Sequence, residues 1–139
     1  MRRLKALKRQ HKDILVIAKT IDEKIKNKEN ENNLEKNIAR LLNELAGKLK
    51  FHLSNEDKFL YPKLKNSEVK SLSQKAISYE KEMGGLVNEF SNFHKKYNTP
   101  SKLKEKINEF EKSFLTIKAL VKARIDKEEK DLYIEAKKI

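Results

Sequence analysis

The chain has 139 residues, enough for one domain (1–139) around one core. Charged residues make up 39% and hydrophobic ones 37%, with only three glycines and two prolines; that excludes a turn-rich β architecture and fits long amphipathic helices. The 33 basic against 21 acidic residues give a net charge of +12, and the lack of cysteine excludes disulfides, thiolate metal sites and cysteine nucleophiles.

In chain order, Leu4, Leu7, His11, Ile14, Ala18, Ile21 and Ile25 recur at three and four, which predicts a first helix over about residues 3–27 with His11 inside its apolar stripe. A short polar loop, 28–33, follows. Asn32 with Glu35 reads as a capping box opening a second helix. That helix carries Leu34, Ile38, Leu41, Leu45, Leu49, His52, Glu56 and Phe59 toward the core, and Pro62 should end or kink it. Ser67 is the expected N-cap of a third helix with Val69, Leu72, Ala76, Tyr79, Met83, Leu86, Phe90, Phe93 and Tyr97 inward. Gly84 and Gly85 lie within it, where they weaken the helix and could admit close packing. Thr99 as N-cap and Pro100 at the first helical position open a fourth helix, with Leu103, Ile107, Phe110, Phe114, Ile117, Val121, Arg124, Glu128 and Leu132 inward. Four long helices with short connections predict an all-α, antiparallel up-down-up-down four-helix bundle.

His52 and Glu56 lie four apart, so they share a helix face one turn apart. A His and a carboxylate facing a bundle core are a metal-ligand pair. The segment has a second copy. An offset of 72 takes Glu56 to Glu128, Asp57 to Glu129, Leu60 to Leu132 and Tyr61 to Tyr133. The same offset takes His11 to Met83 and His52 to Arg124. One half thus places His11, His52 and Glu56 where the other places Met83, Arg124 and Glu128.

With these elements the chain resembles the hemerythrin-like (HHE cation-binding) family over essentially its whole length. The resemblance is carried by His11, by His52-x-x-x-Glu56-Asp57-x-x-Leu60-Tyr61-Pro62, and by Glu128-Glu129-x-x-Leu132-Tyr133. It implies an antiparallel four-helix bundle around two non-haem irons that binds dioxygen, with oxygen, iron or nitric oxide sensing in some members. It also implies that His11 and His52 are ligands of one iron and that Glu56 and Glu128 are the bridging carboxylates. The ligand positions of the other iron correspond to Tyr79, Met83 and Arg124, none of which is histidine.

Arginine stays protonated and offers no lone pair, and a thioether is a poor ligand for such an iron. A standard two-iron centre is therefore not expected, and one ion is the most the site should hold. Two alternatives stand. In one, His11, His52 and one or both carboxylates form a mononuclear site suited to iron, manganese or zinc. In the other, the site is metal-free, with the fork of Arg124 between Glu56 and Glu128 in place of the metal charge and a protonated His11 or His52 completing the balance.

The remaining residues have plainer expectations. Met83 fills core. Tyr61 and Tyr133 pack with their hydroxyls near a helix end. Phe90, Phe93, Phe110 and Phe114 form a core layer away from the site. His94 is a polar residue near the bundle end, level with Asp22, where a His–Asp contact is conceivable. There is no Ser/His/Asp or lysine nucleophile arrangement and no glycine-rich phosphate loop. The expected role is non-enzymatic metal binding, with dioxygen or nitric oxide as the implied ligand.

The charge offers an alternative class, a basic module for nucleic acid, an anionic surface or an acidic partner. A solvated lysine-rich surface is preferred to a nucleic-acid partner. The lysines run the whole length, with no basic arm and no arginine–aromatic interleaving. The longest pure apolar run, Ile14–Ala18, is too short for a signal core or a membrane span, so a cytoplasmic protein without a membrane partner is expected.

Overall fold

The computed structural model describes residues 2–139. Its elements are α1 (Arg2–Lys26), a 3-10 turn (Lys28–Asn30), α2 (Leu34–Phe59), a short α3 (Tyr61–Lys65), α4 (Lys70–Tyr97), a short α5 (Pro100–Leu103), α6 (Ile107–Lys127), a π-helical turn (Glu128–Leu132) and α7 (Tyr133–Ala136). There is no strand among the described residues. The long helices form a helical bundle in which α1 packs along α2, α4 along α6, and α6 also meets α1. No helix of the described residues is long and apolar enough to cross a membrane.

The periodicity holds where it matters most. All seven inward positions of α1, including His11, are buried, and so are those of α2 as far as Glu56. Phe59 is instead 38% exposed, with the Arg3 guanidinium 3.7 Å above its ring. Pro62 acts as expected: α2 stops at Phe59, and Pro62 sits in the first turn of α3, where its missing N–H is not needed.

The predicted caps fare less well. The Asn32–Glu35 capping box does not form. Asn33 precedes α2 with φ 57°, a left-handed conformation asparagine tolerates, and no side chain caps the helix. Ser67 does not cap α4 either. Its Oγ accepts from the Val69 N–H in a turn, and α4 begins at Lys70, leaving Val69 54% exposed. Thr99 does cap, accepting from Lys102 N–H, but only the single turn of α5. Glu105 at φ 63° then breaks the chain before α6 begins at Ile107. Gly84 and Gly85 do not mark a close approach, since a Cβ at either would meet nothing within 4 Å.

The apolar core is in two parts. The larger runs from Ile14 through Leu42 and Leu49 to Phe93, Phe110, Phe114 and Ile125; its aromatic rings stack on one another as expected for the layer away from the site. The smaller gathers Leu4, Leu7, Tyr61, Leu64, Leu72, Tyr79, Leu132 and Tyr133. The buried His11, His52, Glu56 and Glu128 come, along each helix, between these two sets, and the buried Arg124 lies one turn before Glu128 at the edge of the larger one.

Candidate metal centre

His11 reaches the polar layer from α1, His52 and Glu56 from α2, and Glu128 from the point where α6 passes into the π turn. Each offers one donor atom, and the four atoms lie within 4.8 Å of one another. His11 Nε2 is 3.0 Å from His52 Nε2 and 2.9 Å from Glu128 Oε1. His52 Nε2 is 3.5 Å from Glu56 Oε1 and 3.6 Å from Glu128 Oε1. Donors bound tetrahedrally at about 2.0–2.2 Å stand roughly 3.3–3.6 Å apart; the two His52–carboxylate spacings match this and the two His11 spacings are slightly shorter, a cluster sized for one ion.

Two residues outside the expected set aim the imidazoles. His11 Nδ1–H donates to Glu129 Oε2 at 2.6 Å, and His52 Nδ1–H donates to Gln10 Oε1 at 2.8 Å. Each outer bond commits the Nδ1 proton and turns Nε2 inward, free to offer a lone pair to a metal or, once protonated, to donate to a carboxylate. Facing lone pairs repel unless a proton or a cation lies between them. Glu56 Oε1 is buried and accepts no hydrogen bond, its nearest charged neighbour being His52 Nε2 at 3.5 Å. An orphaned carboxylate oxygen beside two inward Nε2 atoms is what a cation would satisfy, so the residues present fit one metal ion.

The electrostatics separate the two carboxylates. Burial pushes Glu56 up, and nearby Glu128 adds to this. Burial also acts to raise Glu128, but hydrogen bonds from His11 and His52 and the charge of Arg124 hold it well below the usual carboxylate range. Burial works to lower His52, yet Glu128 and Glu56 outweigh it and push His52 up to about 9. A proton on His52 thus does part of the work a cation would do.

Arg124 does not lie between Glu56 and Glu128. Its Nε donates to Glu128 Oε2 at 3.0 Å, and Nη2 donates to Tyr61 Oη at 3.0 Å and to the Tyr79 carbonyl at 2.8 Å. Nη1 points to the exposed Glu82 at 3.5 Å. The fork therefore engages only one of the two clustered carboxylates, Glu128, because Tyr61, the α4 backbone and Glu82 take its other donors. The Tyr79 ring lies under the guanidinium, 4.7 Å away, while its hydroxyl donates to Asp131 at 2.7 Å, so it is turned away from the four donors. Met83 is buried but joins neither core cluster. It helps line an open groove of about 990 Å3 between α2 and α4, with Leu49, Leu53, Val87, Phe90 and Val121. His94 pairs with Asn43 at 2.7 Å rather than with Asp22, which is held by Lys118.

Both tyrosines do more than pack. Tyr61 holds Arg124, and Tyr133 enters the donor cluster. Tyr133 Oη donates to Glu56 Oε2 at 2.8 Å and lies 3.2 Å from Glu128 Oε1 and 3.3 Å from His11 Nε2. The paired Leu-Tyr endings of the repeat were the available signal, but spacing on a regular helix turns those hydroxyls away from the site. Gln10 and Glu129 carried no signal beyond adjacency to a ligand position.

The family model described as Hemerythrin HHE cation binding domain matches residues 2–135. No curated protein and no solved structure matches the chain significantly.

Proposed function

Because the chain belongs to the hemerythrin HHE cation-binding domain family, we propose that it is a non-enzymatic, single-domain protein that holds one non-haem metal ion, iron by preference, through His11, His52, Glu56 and Glu128. The proposed frame is the antiparallel up-down-up-down four-helix bundle of α1, α2, α4 and α6, supported by their pairwise packing and short connections. One observation carries the proposal. The buried Glu56 Oε1 accepts no hydrogen bond and faces only His52 Nε2 at 3.5 Å, although Arg124 is close enough to pair with the neighbouring Glu128. Had arginine replaced the metal outright, its fork would have satisfied that oxygen.

The second ion of a two-iron centre has no ligands here. Arg124, Tyr61 and the Tyr79 carbonyl bond to one another at the corresponding positions, and the fixed positive charge repels another cation. Arg124 neutralises Glu128 from one side, Gln10 and Glu129 keep the imidazoles turned inward, and the two core clusters exclude water from either end. When bound, iron would supply a redox-active Lewis acid able to take a diatomic ligand, and dioxygen or nitric oxide sensing is the role proposed for it.

The test is metal content after anaerobic reconstitution with ferrous iron. One equivalent per chain is expected, lost in His52→Ala, together with a spectral change on adding nitric oxide. No bound metal, or two equivalents, refutes the one-ion site. A bound ion indifferent to nitric oxide refutes the sensing role alone.

A further inference from the structure

Tyr133 sits among the ligand atoms rather than behind them. Its oxygen is 2.8 Å from Glu56 Oε2, 3.2 Å from Glu128 Oε1 and 3.3 Å from His11 Nε2. Those are the spacings the four donors keep among themselves. Its ring is also stacked on that of His11, 5.4 Å between centroids and 6° from parallel.

The backbone is built to put it there. On a regular α-helix, residues five apart point about 140° away from each other, at roughly 100° per residue. Glu128 and Tyr133 are joined instead by the π turn, whose Tyr133 N–H bonds to the Glu128 carbonyl. The wider turn returns the phenol to the face of Glu128. π turns of this kind interrupt α-helices at functional sites. The first copy of the repeat lacks it. There the helix breaks at Leu60, and Tyr61 goes to Arg124 instead. The two halves therefore treat the same tyrosine differently, and only the half facing the histidines brings it to the donor cluster.

We propose that the Tyr133 phenol oxygen is a fifth donor of this site and that it selects ferric over divalent ions. The inference rests on metal binding by the four-residue cluster. A trivalent ion favours hard anionic oxygen, and the Glu128 carboxylate with the Tyr133 phenolate supplies it. The proton balance is local. As the oxygen–metal bond forms, the O–H bond breaks and its proton passes to Glu56 Oε2, which already accepts that hydrogen bond. Glu56 Oε1, now the carbonyl oxygen of a neutral acid, remains unbonded and faces the ion.

The experiment titrates the purified protein with ferric citrate and, separately, with zinc. Ferric protein should develop a broad visible phenolate-to-metal absorption band that zinc protein lacks. Tyr133→Phe should lose the band, bind zinc with unchanged stoichiometry and hold ferric iron about tenfold less tightly, the scale for losing one supporting group of a metal site. Tyr61→Phe should keep the band. Ferric binding without a visible band in the unmutated protein overturns the proposal, whether or not the variant folds. A band that survives in Tyr133→Phe overturns it too. Binding of neither ion refutes the metal centre itself, and the fifth donor falls with it.

Discussion

Arg124→Ala isolates the residue that most distinguishes this site. The guanidinium is 7% exposed, and its three bonds of 2.8–3.0 Å go to Glu128, Tyr61 and the Tyr79 carbonyl. The contact to Glu82 is 3.5 Å from a half-exposed carboxylate and contributes little. Truncation leaves Glu128, 1% exposed, without its arginine, and breaking one side of a buried pair costs about 3–5 kcal/mol. The bonds give the same scale, since Glu128 and Tyr61 each lose a charged donor worth roughly 1.5–3 kcal/mol, while the Tyr79 carbonyl stays within α4. Against a total of about 5–15 kcal/mol this is a large fraction. Urea unfolding followed by far-ultraviolet circular dichroism should show it as a lower midpoint at unchanged slope. Repeating the measurement with metal should shrink the loss, because a cation beside Glu128 supplies the missing positive charge. A loss below about 1 kcal/mol without metal would show that Glu128 is held by the histidines alone and would refute the assigned role of Arg124.

Other outcomes follow from the same geometry. Gln10→Ala and Glu129→Ala should each lower metal affinity by about 10–100-fold in a chelator competition, because each frees an imidazole to turn. Phe114→Ala should cost about 3–5 kcal/mol in urea unfolding yet leave metal stoichiometry unchanged, since Phe114 lies in the larger core cluster and not in the polar layer. Gly84→Ala should raise stability by about 0.5–1 kcal/mol, because its Cβ meets nothing and the helix loses a flexible residue; a lower thermal midpoint would contradict the open groove beside it.

The parts legible in the sequence are those set by period. His11, His52, Glu56, Arg124 and Glu128 fall on helical stripes, and each is buried where the stripe put it. Ancestry was legible because the 72-residue offset holds in both helix pairs. What escaped was local departure from regular geometry. The π turn cannot be read from side-chain spacing, and with it went the placement of Tyr133 and the approach of Glu129 to His11. The direction of Arg124 escaped for a different reason. A long side chain with five donors goes to whichever acceptors are nearest, and Tyr61 and the Tyr79 carbonyl appear only once α3 and α4 are in place. The capping box failed because Asn33 satisfies the turn through its backbone conformation rather than through its side chain.

The division of the core has a consequence for cooperativity. Apolar clusters that touch transmit unfolding through shared packing, whereas these two meet across a layer of imidazoles, carboxylates and a guanidinium. The smaller cluster contains the start of α1, the short α3, the start of α4 and α7, elements with free or broken ends. It is the natural unit to open first, with amides there exchanging before those around Phe110 and Ile38. An ion held jointly by α1, α2 and the end of α6 would tie the two halves into one unit. Metal occupancy would then be written into the exchange rates of one end of the protein, well beyond the side chains that would hold the ion.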